Sequence, residues 1–337
     1  MMMRTETCIK ENWEHHGPPL ISIVCVTYNH EQYITDAIES FLMQETDFSF
    51  EIIIQDDAST DNTPKIIQKY AEIFPNIIRP IFHQENQFSQ NKKNVFTMAV
   101  SHANGKYIAC CEGDDFWIDK NKLQIQIKEM KKNPDCDVSI HPVIRQCAKK
   151  QIKEKIVSQH SKNNKIFTTT ELILGTAKFC PMASVIFNVN IFKSIPDWFF
   201  DAPVGDYFLQ ILSSLRGGIL YINKVMAVYR VGSLGSWSER ISRDESFAYD
   251  YFLRMLVSIQ NINIHTQNKY EKEFTIVKNK ICFFMCVNPV LSFRKRKMIF
   301  EKNKELFSFK NKLMWYFLFR NKRFFKLIFY IRNYIFD

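Results

Sequence analysis

The chain has 337 residues, 46% apolar and 24% charged, with nine Gly and eleven Pro. That composition excludes a disordered chain, a collagen and a small disulfide scaffold, and suffices for one large domain or two smaller ones. The formal charge of +10 is concentrated: Phe293 to Asp337 carries 13 Lys and Arg against three Asp and Glu, while the first 292 residues balance at 32 of each sign.

Residues 1–18 are polar and unpatterned, end in Gly17-Pro18, and read as a loose leader. Leu20 to Val26 is a short, β-branched apolar run, suited to a buried parallel strand. An amphipathic helix is expected from about Glu31, with Tyr33, Ile34, Ala37, Ile38, Phe41 and Leu42 on one face. Phe50 to Ile54 is a second buried strand. Thr63-Pro64 opens a helix, because Pro in the first turn gives up an N–H that has no partner there anyway. Its buried face is Ile66, Ile67, Tyr70, Ala71 and Phe74. A third strand is expected near Ile77 to Phe82, a helix near Asn94 to Ala103, a fourth strand over Tyr107 to Cys111 and a helix over Lys120 to Lys132. This alternation predicts a three-layer, mostly parallel α/β sheet, whose ligands bind off the carboxyl ends of the strands.

The strand ends carry the chemistry. Strand one runs into Thr27-Tyr28-Asn29-His30, strand two into Asp56-Asp57-Ala58-Ser59-Thr60-Asp61, and strand four into Glu112-Gly113-Asp114-Asp115. Two acidic clusters thus converge on one edge. No G-x-G-x-x-G and no P-loop lysine is present, which argues against the usual nicotinamide and ATP sites. Acid repels phosphate unless a cation intervenes. Glu112 and Asp114, two apart, share a face in extended chain and suit a hard divalent ion with oxygen ligands, Mn²⁺ or Mg²⁺. Either cluster alone also reads as a solvated turn or a helix start.

Taken in order, PLISIVCVTYNHEQYITDAIESFLMQ, EIIIQDDASTDNT and GKYIACCEGDDFWIDKNKLQIQ resemble the family 2 glycosyltransferases of GT-A (Rossmann-like) fold. The resemblance is dense from Pro19 to Asp137, persists to about Ser238 and does not reach the last hundred residues. It implies a transferase domain over 19–238; the residues beyond it read, on their own pattern, as a helical C-terminal region over 239–337 with a basic-aromatic segment over about 293–337. It implies that Thr27, Tyr28, Asn29, Asp56 and Asp57 belong to the donor nucleotide site. Glu112-Gly113-Asp114 looks like the family's D-x-D: Glu112 and Asp114 would belong to the donor site, each at the ribose or the metal, and Asp115 would coordinate the metal. Glu112 departs from the usual Asp. Ala58 and Asn62 replace common glycines; Asn tolerates a left-handed backbone, and Ala58 argues that its position does not need positive φ.

Sugar transfer builds negative charge on a leaving diphosphate and strips a proton from an acceptor hydroxyl, so it needs a cation and a carboxylate base. The resemblance assigns the base to Asp206, at the start of an amphipathic helix; by itself an Asp there is a plain helix cap. A helix N-terminus is expected to lower its pKa. Glu171, Asp197, Asp201 and Asp244 read as solvated or capping. Lys178 to Phe187 ends in an expected strand and resembles the acceptor-side wall, with a core strand after a loop as its alternative, and Arg230 and Trp237 are candidates for a phosphate or acceptor loop.

The nine Cys have no zinc-type spacing and read as reduced thiols of a cytosolic protein. No window is apolar enough to span a membrane. From Phe293 on, 14 of 45 residues are aromatic, interleaved with basic groups. That segment, with Phe317, Phe324, Ile328, Ile331 and Ile335 on one stripe, suggests docking on an anionic membrane surface. Packing on the body or nucleic acid are its rivals, and nucleic acid is disfavoured. The expected function is inverting transfer from a nucleotide sugar, UDP-linked by resemblance, to a glycan or lipid-linked acceptor at the inner face of the cell membrane. A non-catalytic membrane-associated module that kept the fold is the alternative. A nucleotidyl- or phosphotransferase would need a Gly- and Lys-rich phosphate loop, which is absent.

Overall fold

The computed structural model describes residues 4–14, 17–90, 95–147, 154–176, 179–232, 241 and 243–320, with side chains to 317. The chain divides into two units, Met1–Phe200 with Gly205–Ser233, and Asp201–Val204 with Leu234–Asp337.

In the first unit, strands β1 (Ile21–Thr27), β2 (Phe50–Asp56), β3 (Ile78–Phe82) and β4 (Tyr107–Cys110) fall within two residues of their expected places. So do helices α2 (Ile34–Leu42), α3 (Thr63–Ile73), α4 (Val95–Val100) and α5 (Lys122–Lys132), apart from their ends. Helix α2 starts later than its periodicity suggests, because the His30 carbonyl accepts from the N–H groups of both Tyr33 and Ile34 and closes a turn there.

The chain continues through β5 (Phe116–Trp117), β6 (Val138–Ile140), β7 (Val143–Cys147), β8 (Lys155–Val157), β9 (Lys165–Phe167), α6 (Thr169–Gly175), β10 (Ile186–Asn188), α7 (Asn190–Lys193), α8 (Gly205–Ser214), β11 (Ile219–Tyr221) and β12 (Ala227–Val231). The main sheet has the order β3-β2-β1-β4-β10-β6-β11-β9. Only β10 and β9 run against the rest. Strands β5, β12, β7 and β8 form a second, smaller sheet that the sequence reading does not contain.

Strand alternation splits the core. Ile21, Ile23 and Cys25 of β1, with Ile52 and Ile54 of β2, join Phe41, Ile67, Leu123 and Ile127 from α2, α3 and α5 in one cluster. Val24 and Ile53, equally buried, point the other way, where α4 packs on β1 and β2. Each such fully buried side chain contributes about 1.5–3 kcal/mol. The result is the expected three-layer arrangement.

The described part of the leader, residues 4–14, is not loose. Thr5 caps α1 (Glu6–Lys10), Ile9 and Trp13 are buried in the main cluster, and Trp13 meets Phe50 edge-on at 5.4 Å. Arg4 donates to the Gln44 carbonyl at 3.1 Å. Two apolar residues four apart are enough to dock one turn of helix, but too few to register as a periodic pattern.

The second unit is helical: α9 (Glu245–His265), α10 (Glu271–Cys286), α11 (Phe293–Asn303) and α12 (Phe309–Arg320). Asp244 caps α9 by accepting from the N–H groups of Ser246 and Phe247. Its own core gathers Phe252, Phe283, Cys286, Phe300, Phe307 and Trp315, with Phe300 stacked on Trp315 at 4.7 Å. Among the described residues no helix is long and apolar enough to cross a membrane. All nine cysteines are free thiols, seven of them buried.

Candidate functional site

Three loops leave the carboxyl edge of the sheet together. Thr27 and Asp56 are level in the β1–β2 register. The Asp57 N–H donates to the Thr27 carbonyl at 3.0 Å, and the Gly113 N–H to the Val26 carbonyl at 3.0 Å. The acidic turn lies so close to β1 that a Cβ on Gly113 would stand 2.4 Å from Thr27 Oγ1. Glycine is therefore required between Glu112 and Asp114.

The loops after β1 and β2 are stitched to each other. Asn29 donates through its N–H to Ser59 Oγ and accepts from the Thr60 N–H at 2.8 Å. His30 N–H reaches Thr63 Oγ1, Glu31 N–H reaches Asp61, and Asn62 N–H returns to Glu31. Asp56 is buried and accepts from both the N–H and the hydroxyl of Ser59. Burial nevertheless holds its carboxyl above the usual range. Asp57 accepts from the N–H groups of Gln87 (2.7 Å) and Phe88 (3.1 Å) and so anchors the loop after β3. Tyr28 stands open to solvent at 44%. Of the residues expected at the nucleotide, Asn29, Asp56 and Asp57 thus spend hydrogen bonds of their side chains on the loops themselves, while Tyr28 offers a free face.

Ala58 overturns an expectation. It sits at φ +61°, in the left-handed region, whereas Asn62 is ordinary at φ −81°. A left-handed Ala costs about 1–2 kcal/mol. The paired Ser59–Asp56 hydrogen bonds next to it offset that strain.

The acid motif is electrostatically loaded. Asp115 is buried; its Oδ1 accepts the Arg230 N–H at 2.8 Å and its Oδ2 has no hydrogen-bond partner. Burial, then Asp114 and Glu112, push its carboxyl well up, against the pull of Arg230. Desolvation, then Asp114 and Asp206, raise the Glu112 carboxyl above the usual range, and water at its exposed side limits the rise. His30, absent from the expected site, places Nε2 3.9 Å from Asp114 Oδ2 and Nδ1 3.1 Å from Thr27 Oγ1. An orphaned carboxylate oxygen beside two like charges, all hard donors, fits Mn²⁺ or Mg²⁺ held by Asp114 and Asp115. Among the described residues no three His, Cys, Asp or Glu side chains gather to hold a metal ion alone. Oxygen ligands from a diphosphate and water would have to complete the shell.

Arg230 is committed to the protein. Its guanidinium donates to Asp36, to the Asp114 carbonyl at 3.0 Å and to Gln146 at 3.3 Å, and packs between the rings of Tyr33 and Phe116. That geometry braces the acid turn. It leaves little of the guanidinium for a ligand phosphate. Trp237, its expected companion, lies outside the described residues.

Asp206 lies in the first turn of α8, and its Oδ1 accepts the Tyr207 N–H at 2.8 Å. A helix N-terminus by itself would lower its pKa. Here the opposite holds: burial raises it, and the backbone N–H groups only partly restrain the rise. Its charge is felt at Glu112, Cys180 and Tyr229, so the fold brings it to the acid motif. Tyr229 was missed by sequence reasoning. Burial, with Asp115, Glu112, Asp114 and Asp206 around it, keeps its hydroxyl protonated. The turn Met182–Ser184, inside the expected acceptor wall, is pinned by Trp117 Nε1 on the Ala183 carbonyl and Gln126 Nε2 on the Ser184 carbonyl, both at 3.0 Å. Glu171 closes a capping box with Thr168, as a capping role requires.

Comparison with known proteins bears on the same stretch of chain. The glycosyl transferase family 2 profile matches residues 22–195, just over half the chain. An uncharacterised protein of Mycobacterium tuberculosis is 34% identical over 224 residues, 64% of this chain and 60% of that protein's length. The UDP-Glc:alpha-D-GlcNAc-diphosphoundecaprenol beta-1,3-glucosyltransferase WfgD of Escherichia coli is 32% identical over 114 residues, 34% of this chain and 42% of WfgD. In fold, a TarS fragment of S. aureus in complex with UDP-GlcNAc superposes with a TM-score of 0.58 at 18% identity, covering 89% of this chain and 91% of that one. The sheet is accordingly of GT-A type, and the chain belongs to glycosyl transferase family 2.

Proposed function

We propose that this chain moves a sugar from a UDP-linked donor to a hydroxyl of a glycan or lipid-linked acceptor, with inversion, assisted by Mn²⁺ or Mg²⁺. The observation that carries the reading is one cleft holding an orphaned buried Asp115 Oδ2, its acidic neighbours and a base-type carboxylate, Asp206, within reach of their field. WfgD, whose name gives a UDP-Glc donor and a diphosphoundecaprenol-linked acceptor, supports the choice of UDP and of a lipid-linked acceptor.

Tyr28, Thr27 and Asp57 hold the base of the donor on a platform that Asn29 and Asp56 keep rigid. Glu112 and Asp114 face its ribose. Asp114 and Asp115 would hold a divalent ion, which would supply positive charge against the leaving diphosphate. Arg230 fixes both residues, through the Asp114 carbonyl and Asp115 Oδ1. Asp206 takes the acceptor's proton at Oδ2, since Oδ1 already carries the Tyr207 N–H. A raised pKa makes it a stronger base than a free carboxylate. One base and one displacement give inversion. The basic segment over 293–337 holds the enzyme on the anionic inner face of the cell membrane; an acidic sheet edge on a balanced body disfavours nucleic acid.

Calorimetry with UDP tests this. Binding that needs Mn²⁺ and is lost in Asp115→Ala is the expected result. Absence of wild-type binding to UDP and to guanosine and thymidine diphosphates, with and without metal, would leave a non-catalytic module of the same fold.

A further inference from the structure

Helix α12 is apolar on two opposite sides. Trp315 is 3% exposed in the core of the helical unit and Met314 packs against that core. On the other side Phe309 is 81%, Leu313 61% and Tyr316 55% exposed. At about 100° per residue these three fall within one narrow arc, with Lys310 and Lys312 on its two flanks. A helix whose second face is also apolar needs a cover for it.

We propose that this outer face of α12 is the surface that docks on an anionic phospholipid bilayer. The proposal rests on the membrane reading above and names the contact. The apolar stripe enters the boundary between headgroups and acyl chains, and the flanking lysines meet lipid phosphate. Charge selects the occupant. Residues 321–337 carry four Lys and Arg against one Asp, so that stretch has the same sign as the flanks. A second copy placed face to face would set Lys310 and Lys312 against their own counterparts. In the same unit Arg294, Lys297, Lys302 and Lys304 are also exposed. An anionic lipid surface complements both the stripe and its rim.

The test is sedimentation of the full chain with vesicles of phosphatidylcholine containing about one-third phosphatidylglycerol. Wild type should bind these and release them at high salt. Phe309→Glu/Leu313→Glu should bind at least tenfold more weakly with an unchanged melting midpoint, since both side chains face water. Lys310→Gln/Lys312→Gln should weaken binding independently and flatten its salt dependence. Undiminished binding by both variants would overturn this face while leaving membrane association to another segment. No binding by wild type would overturn the membrane reading itself. A wild-type dimer in light scattering that the Glu variant dissociates would assign the face to a second copy.

Discussion

Lys122 is completely buried. Its ammonium donates to Gln126 Oε1 at 2.7 Å and lies 4.2 Å above the Trp117 ring. Burial drives its pKa from 10.5 down to about 7, against the opposing pull of Cys111 and Cys110. Between those two values the unfolded chain binds a proton that the folded chain does not, so wild-type stability rises with pH there. Each unit of pKa difference is worth about 1.4 kcal/mol, which makes holding Lys122 in the core cost about 5 kcal/mol at pH 7. Lys122→Met removes that cost but strands Gln126 Oε1, a loss of about 1–3 kcal/mol that does not vary with pH. The variant should therefore be more stable than wild type at pH 7 by about 3 kcal/mol. Its advantage should shrink by about 1.4 kcal/mol per pH unit and reverse above about pH 9. Urea unfolding of both proteins between pH 7.5 and pH 9.5, taken as a difference, isolates this one group. A difference that stays flat across that window would refute a depressed Lys122 pKa and the argument built on it.

Two further outcomes follow from the site. Asp206→Asn should lower kcat by about 10²–10⁴ while leaving donor affinity within a few-fold. In wild type, kcat should rise with pH through an apparent pKa above the ordinary carboxylate value of 3.8, because the base works only when ionised; a pH profile without that limb would remove Asp206 from the role. Gly113→Ala sets a methyl 2.4 Å from Thr27 Oγ1 and 2.7 Å from Thr27 Cβ. It should destabilise the fold by about 1–3 kcal/mol and weaken metal-dependent UDP binding, read by urea unfolding and calorimetry; wild-type values for both would show that the turn has room to move.

The first 130 residues were legible because each strand is a dense β-branched run and each helix carries its own apolar face. Of the strands that follow, only β10 was legible, at the end of the run Lys178 to Phe187. β6, β9 and β11 have three residues each, too short for a period, and β5 has two. Their places are set by partners distant in sequence, as when β12 pairs with β5 and β7. The acid motif was legible through type and spacing. The work of Arg230 was not, since its contacts with Asp36 and the Asp114 carbonyl span 194 and 116 residues. Ala58 misled because residue type states a preference, whereas the Ser59–Asp56 bonds override it. The Asp206 helix position pointed one way and its burial the other, and only tertiary packing reveals the second.

Strand β10 runs against its neighbours β4 and β6, and the Cys110 N–H donates to the Val185 carbonyl at 3.0 Å. Its incoming end therefore meets the outgoing end of β4, and the turn at Met182–Ser184 arrives beside the acid motif from the opposite chain direction. The two sides of the cleft are thus threaded independently. Insertions or exchanges in the stretch that leads to β10 leave the register of β1, β2 and β4 intact, so one side can diversify while the other is held constant. A scaffold wired in this way lets evolution, or an engineer, change what enters from one bank of the cleft without re-founding the other.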